Sequence, residues 1–360
     1  MKKNLLFLIV YLVIFTIEIN AQVITVSNNT NTPGQYSNLQ DAITAANPGD
    51  TIYVHGSNTS YGNITVNKRL TFIGPGFNPQ SQFALSSYIT SITLDTLVPL
   101  SSGFGSRFIG LNIGYFVKKT TEFWRIDDIL IDRCRIASSL STHVIGNNWI
   151  FRNCYFYWTV NNANLELNYY SNIIITNCIF DFSSIPGTTN SPAIINSNKN
   201  SVIINNNLFT GYHQGSSFSN ISNAQFSNNI FYGKSPQGAS NSIFTNNLTY
   251  GMTQYDLPYG NNSGQDNIVN VDPMFTYIPL GVFSFSLIYD YKLLPISPAR
   301  NMGTDGTDLG IFGGGYPMVL NNNKITGESR LPQIYFMNIQ NNVIDQNTPI
   351  NVNIKARKMN

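Results

Sequence analysis

Phe151-Arg-Asn-Cys154-Tyr-Phe156 decides the fold, because the same six-residue pattern returns throughout the middle of the chain. It is followed by Ile175-Thr-Asn-Cys178-Ile-Phe180, Ile204-Asn-Asn-Asn207-Leu-Phe209, Phe226-Ser-Asn-Asn229-Ile-Phe231 and Phe244-Thr-Asn-Asn247-Leu-Thr249. Phe108-Ile-Gly-Leu111-Asn-Ile113 and Ile131-Asp-Arg-Cys134-Arg-Ile136 precede it. Each unit is a large apolar residue, two polar ones, Cys or Asn, any residue, then Phe or Ile. The fourth positions, 111, 134, 154, 178, 207, 229 and 247, are spaced by 23, 20, 24, 29, 22 and 18 residues. A unit this short cannot bury its own apolar residues, so neighbours must stack and share one core.

Stacked parallel strands lie about 4.8 Å apart, so equivalent residues form straight columns. One expected column is 131/151/175/204/226/244 and another 136/156/180/209/231, both built from Ile and Phe. The expected fold is therefore an all-β, single-stranded parallel β-helix solenoid with coils of about 23 residues. Between the columns runs a ladder of Cys134, Cys154, Cys178, Asn207, Asn229 and Asn247. Stacked Asn amides can bond to one another, and a free Cys behaves as a small hydrophobe, so both suit one narrow interior corner. Three cysteines leave one thiol unpaired whatever is assumed. The readings open for them are a reduced structural column, one strained Cys134–Cys154 bridge, or a metal-binding or catalytic thiol. Tyr155 sits between two inward positions, so it and Tyr157 are expected to point outward.

The N-terminus has the form of an export signal. Lys2 and Lys3 precede an apolar run from Leu5 to Ile17, and Ile19-Asn20-Ala21 offers a small residue for cleavage, giving a mature start at Gln22. The run is short for a membrane span, and no later segment approaches the roughly 20 apolar residues needed; a retained anchor is the alternative. Residues 1–21 are thus expected as signal peptide, 22–315 as β-helix and 316–360 as a β tail. The protein is expected to be secreted or cell-surface and monomeric, with no membrane span in the mature chain. Tyr36 to Ala46 is the one good helix candidate, with Ser37 as N-cap and Asn47-Pro48-Gly49-Asp50 as stop. Such a helix would cap the open apolar end of the solenoid. Leu331–Ile339 and Thr348–Ala356 have the pattern of two strands about a polar turn, either a hairpin or a fragment of an immunoglobulin-like module.

Leu39-Gln-Asp-Ala-Ile43, Pro48-Gly-Asp-Thr-Ile-Tyr-Val54 and Leu70-Thr-Phe-Ile-Gly74 resemble the opening of the pectin-lyase-like, right-handed parallel β-helix superfamily. Asp272-Pro-Met-Phe275, Ser297-Pro-Ala299 and Asp308-Leu-Gly310 are similar to the closing segment of its exported bacterial members. The resemblance spans about residues 30 to 315. It implies the right-handed fold and leaves the activity open, because the superfamily includes lyases, hydrolases, adhesins and proteins without known chemistry.

Net charge is +2 and only 11% of residues are charged, with no basic stripe, so a nucleic-acid partner is not expected. What charge there is gathers in one stretch: Lys118, Lys119, Glu122, Arg125, Asp127, Asp128, Asp132, Arg133, Arg135, Arg152 and Glu166. Asp132 is placed beneath Arg152 as an outward ion pair. Arg residues with Lys118 or Lys119 could hold a carboxylate or sulfate, with Glu166 completing the site. Ordinary solvated charges are the alternative. Trp124, Trp149, Tyr155, Tyr157, Trp158, Tyr169 and Tyr170 lie in the same region, as core or as a platform for sugar rings.

Family lyases use Ca²⁺ or Arg to neutralise a uronate and Lys or Arg to remove a ring proton; hydrolases use paired carboxylates. Thr304-Asp305-Gly306-Thr307-Asp308 looks like a polygalacturonase segment, but its partner motifs do not follow, and Asp-Gly is an ordinary turn former. His55, His143 and His213 have no metal-ligand spacing. The expectation is a protein that binds polysaccharide or another surface polymer, with no recognisable catalytic set and no cofactor. The alternative is a lyase on an acidic polysaccharide, with Ca²⁺ entering only in that case. The ligand candidates are Lys118, Lys119, Arg125, Arg133, Arg135, Arg152, Glu166, Tyr155, Tyr157 and Trp158.

Overall fold

The computed structural model describes residues 21–30, 32–79, 85–95, 104–117, 125–137, 142–143, 145–157, 165–167, 171–182, 192–197, 201–211, 215–321, 324–328, 333–339 and 352–357. Nearly every described element is a short strand, and the strands fall into three parallel sheets. The first runs from Val23–Val26 to Ile243–Thr245, the second from Asn63–Val66 to Leu248–Tyr250, and the third from Thr142–His143 to Ala239–Ser240. Within one coil the chain passes through the three in turn, as in Ile150–Arg152, Tyr155–Tyr157 and Leu165–Glu166, then returns at Ile173–Thr176 one layer on. The chain is a parallel β-helix.

The register is the one the repeat implies. Phe151 pairs with Ile131 and Ile175, and the column continues through Ile204, Phe226 and Phe244. Phe156 pairs with Ile136 and Phe180, then Phe209 and Phe231. Phe156, Phe180, Phe209 and Phe231 stack with centroids 4.6, 4.7 and 4.9 Å apart and planes within 11°. The inter-strand spacing imposes this near-parallel stacking on any column of identical rings. All these rings are buried in one continuous core.

The two sheets meet at a corner that reverses the chain in one residue. Gly110, Arg133, Asn153, Asn177, Asn206, Asn228, Asn246 and Asp266 all adopt positive φ there. Asn tolerates the left-handed region better than other residues with a side chain, which accounts for the polar residue before each ladder position.

Inside that corner the ladder forms one bonded run from Cys154 to Asn267. Asn229 Oδ1 accepts from the Asn207 backbone N–H and side-chain amide at 3.0 Å each, and Asn229 Nδ2 donates back to the Ile204 carbonyl at 2.8 Å. Asn247 repeats this towards Asn229, and Asn267, outside the quoted repeats, repeats it towards Asn247. The cysteines occupy the same corner and reproduce two of the amide's contacts, one accepted and one donated. Cys178 Sγ accepts from the Cys154 N–H at 3.4 Å and donates to the Phe151 carbonyl at 3.6 Å. All three cysteines are buried free thiols, and burial pushes the Cys134 and Cys178 thiols well up. A protonated, buried thiol suits packing rather than metal binding or nucleophilic attack.

The helix is Leu39–Ala45, with Leu39, Ala42 and Ile43 buried against the first coils. Its N-cap is Asn38 rather than Ser37: Asn38 Oδ1 accepts from the N–H groups of Gln40 at 2.7 Å and Asp41 at 3.2 Å. Among the described residues no helix is long and apolar enough to cross a membrane.

After Tyr250 the chain adds a layer bridged at Ser263 and Ile268 and then doubles back along the outside of the second sheet. Asn246 Nδ2 donates to the Met302 carbonyl at 2.7 Å, the Gly310 N–H to the Asn228 carbonyl at 2.8 Å, and Asn177 Nδ2 to the Gly313 carbonyl at 2.8 Å. Further back, Asn78 N–H donates to the Thr326 carbonyl at 2.9 Å. This strap covers a second apolar cluster in which Tyr155, Ile179, Leu208, Ile230 and Leu248 pack against Phe285, Tyr291, Leu309, Ile311 and Ile325. Gln333–Ile339 and Val352–Arg357 pair as an antiparallel hairpin.

Candidate functional site

The charged stretch is divided among four places. Arg125 grips Asp127 at 2.5 Å before the first sheet. Arg133 and Arg152 both hold Asp132 at the corner, at 2.6 and 2.7 Å. Arg135 lies over the rings of Tyr155 and Tyr157, 5.5 and 4.8 Å from their centroids, on the outer face of the second sheet. Glu166 pairs with His143 at 3.0 Å on the third sheet. Lys118, Lys119, Trp124, Trp158, Tyr169, Tyr170 and His213 lie outside the described residues.

Two expectations need correction. Asp132 does pair with Arg152 in register, but it is 1% exposed rather than outward in solvent; the strap lays the Tyr316 ring 4.6 Å from the Arg152 guanidinium. Tyr155 faces away from the solenoid interior, yet the strap buries it, with its hydroxyl donating to Asp181 at 2.9 Å and its ring 4.8 Å from Phe285. Burial and the Asp181 carboxylate together push its phenol far up. It is not available as a platform. Trp149 is core, its Nε1 donating to the Ile126 carbonyl at 2.7 Å. The Asp305 segment is a turn closed on itself, its carboxylate accepting from the Thr307 N–H and hydroxyl, which hold it below the usual range. Among the described residues no three His, Cys, Asp or Glu side chains gather as metal ligands.

The surface that does form a cleft lies elsewhere. Tyr232 and Tyr250 end two successive strands of the second sheet and pair in register. Each is followed by a positive-φ glycine, Gly233 and Gly251. A Cβ on either would strike the Phe283 ring, at 2.6 and 2.2 Å, so the two glycines admit Phe283 from the strap. Thr210 Oγ donates to the Phe283 carbonyl and fixes it. Phe275 comes from the strand Phe275–Tyr277, which pairs antiparallel with Asp290–Leu293. Tyr232 sits 4.8 Å from Phe283, 5.4 Å from Phe275 and 5.9 Å from Tyr250.

These rings wall a cleft of about 470 Å³, rimmed by Met274, Leu280 and Ile296, with Leu280 and Ile296 among the most exposed apolar side chains. Asp272 lies at its edge; one carboxylate oxygen accepts from the Met274 N–H at 2.8 Å. Burial, and then the charge of the hydrogen-bonded Asp272, raise the Tyr250 phenol. The cleft therefore offers apolar ring faces beside a hydrogen-bonding carboxylate and hydroxyl. Sequence reasoning missed Tyr232, Tyr250, Asp272 and Phe283 as a group. The available signal was Tyr-Gly recurring at 232–233 and 250–251, one coil apart.

The sequence matches no family model and no curated protein. Among solved structures the chain is similar to the pectin methylesterase from Aspergillus niger. The penultimately deglycosylated form is 13% identical, with a TM-score of 0.29 and coverage of 68% of this chain and 84% of that one. The deglycosylated form is 14% identical, with a TM-score of 0.28 and coverage of 68% and 86%.

Proposed function

We propose that the chain is an exported solenoid that binds polysaccharide or another surface polymer, and that the aromatic cleft beside Asp272 is where it does so. The observation that carries this reading is the grouping of Tyr250, Phe275 and Phe283 around about 470 Å³ of open space with a carboxylate at its edge. Aromatic faces match the apolar faces of sugar rings, polar groups at the margin match hydroxyls, and the volume is within the range of small-ligand sites. Export rests on Lys2, Lys3 and the apolar run that follows them. The lyase reading draws less support, because the described arginines of the charged stretch already face Asp127, Asp132 or tyrosine rings.

The test is a glycan array with the mature chain and with Tyr250→Ala. Retained fold with lost glycan signal is expected of the variant. Unsaturated-uronide absorbance appearing with pectin, alginate or glycosaminoglycan substrates, with or without Ca²⁺, would sink the binding-only reading in favour of a lyase.

A further inference from the structure

The charge around the cleft bears on which glycan it takes. Among the described residues that line the space, Asp272 is the one carboxylic acid, and none is Lys, Arg or His. Lys292, on the strand that pairs with Phe275–Tyr277, is turned to Asp290 at 3.6 Å. Resting on the reading of this cleft as a glycan site, we infer that its ligand is a neutral sugar chain and that Asp272 discriminates against uronate-bearing, acidic ones.

The argument is electrostatic and geometric. One oxygen of Asp272 is held by the Met274 N–H, which fixes the carboxylate at the cleft edge. A carboxylate accepts hydrogen bonds and cannot donate them, so it suits the hydroxyl groups of a neutral sugar. A uronate carboxylate stacked on Phe283 or Phe275 would bring a second negative charge near the first with no cation between them. Two like charges about 4 Å apart repel by about 1 kcal/mol even in bulk water, and by more where apolar walls exclude it. At about 1.4 kcal/mol per factor of ten, the bulk-water figure alone is roughly fivefold, and the apolar walls bring the expected preference to roughly tenfold. The exposed Leu280 and Ile296 beside the rings extend the apolar floor and add no compensating charge.

The experiment is calorimetric titration of the mature chain at pH 7 with cellohexaose and chitohexaose as neutral probes and hexagalacturonate as the acidic one. Wild type, Asp272→Asn and Tyr250→Ala are compared, with melting curves showing that each is folded. Asp272→Asn keeps the oxygen that accepts from Met274 and removes the charge. A neutral probe bound about tenfold more tightly than hexagalacturonate, with the gap closing to within about twofold in Asp272→Asn, is the expected result. Equal affinity for acidic and neutral probes, lost in Tyr250→Ala, would overturn the inference and leave the site in place. Neutral binding that Tyr250→Ala does not alter overturns the site itself. Binding of no probe, or of an apolar peptide in place of any sugar, overturns both.

Discussion

Asn229 offers the sharpest test of why this fold uses Asn and Cys interchangeably. The residue is fully buried and makes four side-chain hydrogen bonds to neighbouring layers: two accepted from Asn207, one donated to the Ile204 carbonyl and one to Asn247 Oδ1. In Asn229→Ala the Asn207 N–H, one hydrogen of the Asn207 amide and the Ile204 carbonyl lose their partners inside a closed corner. Each buried orphan costs about 1–3 kcal/mol, so the variant should lose about 3–9 kcal/mol. Asn229→Cys should lose only about 1–2 kcal/mol, because a thiol can accept from the Asn207 N–H and donate to the Ile204 carbonyl, the two contacts Cys178 makes at its own layer. Urea unfolding followed by far-UV circular dichroism, under reducing conditions, gives the two midpoints. Exchange of the Asn207 amide proton reports the local effect, and should accelerate strongly in the Ala variant and modestly in the Cys variant. Equal losses for the two substitutions, or an Ala variant within about 1 kcal/mol of wild type, would refute the shared-valence account of the column.

Two further outcomes follow from buried charge. Asp132→Ala leaves the Arg133 and Arg152 guanidinium groups facing each other with no carboxylate between them; both keep some solvent, so a loss of about 3 kcal/mol is expected in a urea titration, at the low end for a broken buried pair. Burial holds the Lys234 ammonium down to about 8 against an ordinary 10.5. The folded chain therefore releases that proton more readily than the unfolded chain, so this lysine's own contribution to stability rises between pH 8 and 10.5, with the penalty fully present below pH 8, while the raised Cys134 and Cys178 thiols act in the opposite sense with or without the lysine. Lys234→Met should therefore be more stable than wild type at pH 7 by up to about 3 kcal/mol, less what the Phe182 ring 4.4 Å from the ammonium contributes, and that difference should shrink as pH rises from 8 to 10.5. A stability difference between the two chains that stays constant across that window overturns the assignment.

The repeat was legible because its rules are local. Strand alternation sets which residues point inward, and a layer spacing shared by every coil turns Phe151, Ile175 and Phe226 into one column. The left-handed Asn before each ladder position follows from the one-residue corner in the same way. Outward positions have no such rule. The sequence places Tyr155 on the outside, and nothing near it in the chain says that Phe285 and Tyr291 return to cover that face. A hint lay in the position taken to admit any residue: Tyr155, Ile179, Leu208, Ile230 and Leu248 form an apolar column where solvent would favour polar side chains. The charged stretch was misleading for a related reason. Closeness in sequence spans a whole coil here, so Arg125, Arg152 and Glu166 end on different faces.

The amino-acid sequence by itself thus determined the coil, its register and its interior columns, since each depends on residues adjacent in the chain or one layer apart. Only the tertiary structure decided which outward surface meets water and where a cleft opens. Those depend on where the strap docks, through Asn246, Asn228, Asn177 and Asn78, and on Phe283 entering the space left by Gly233 and Gly251. Docking of that kind is set by complementary shape between distant segments, a property that no local periodicity encodes.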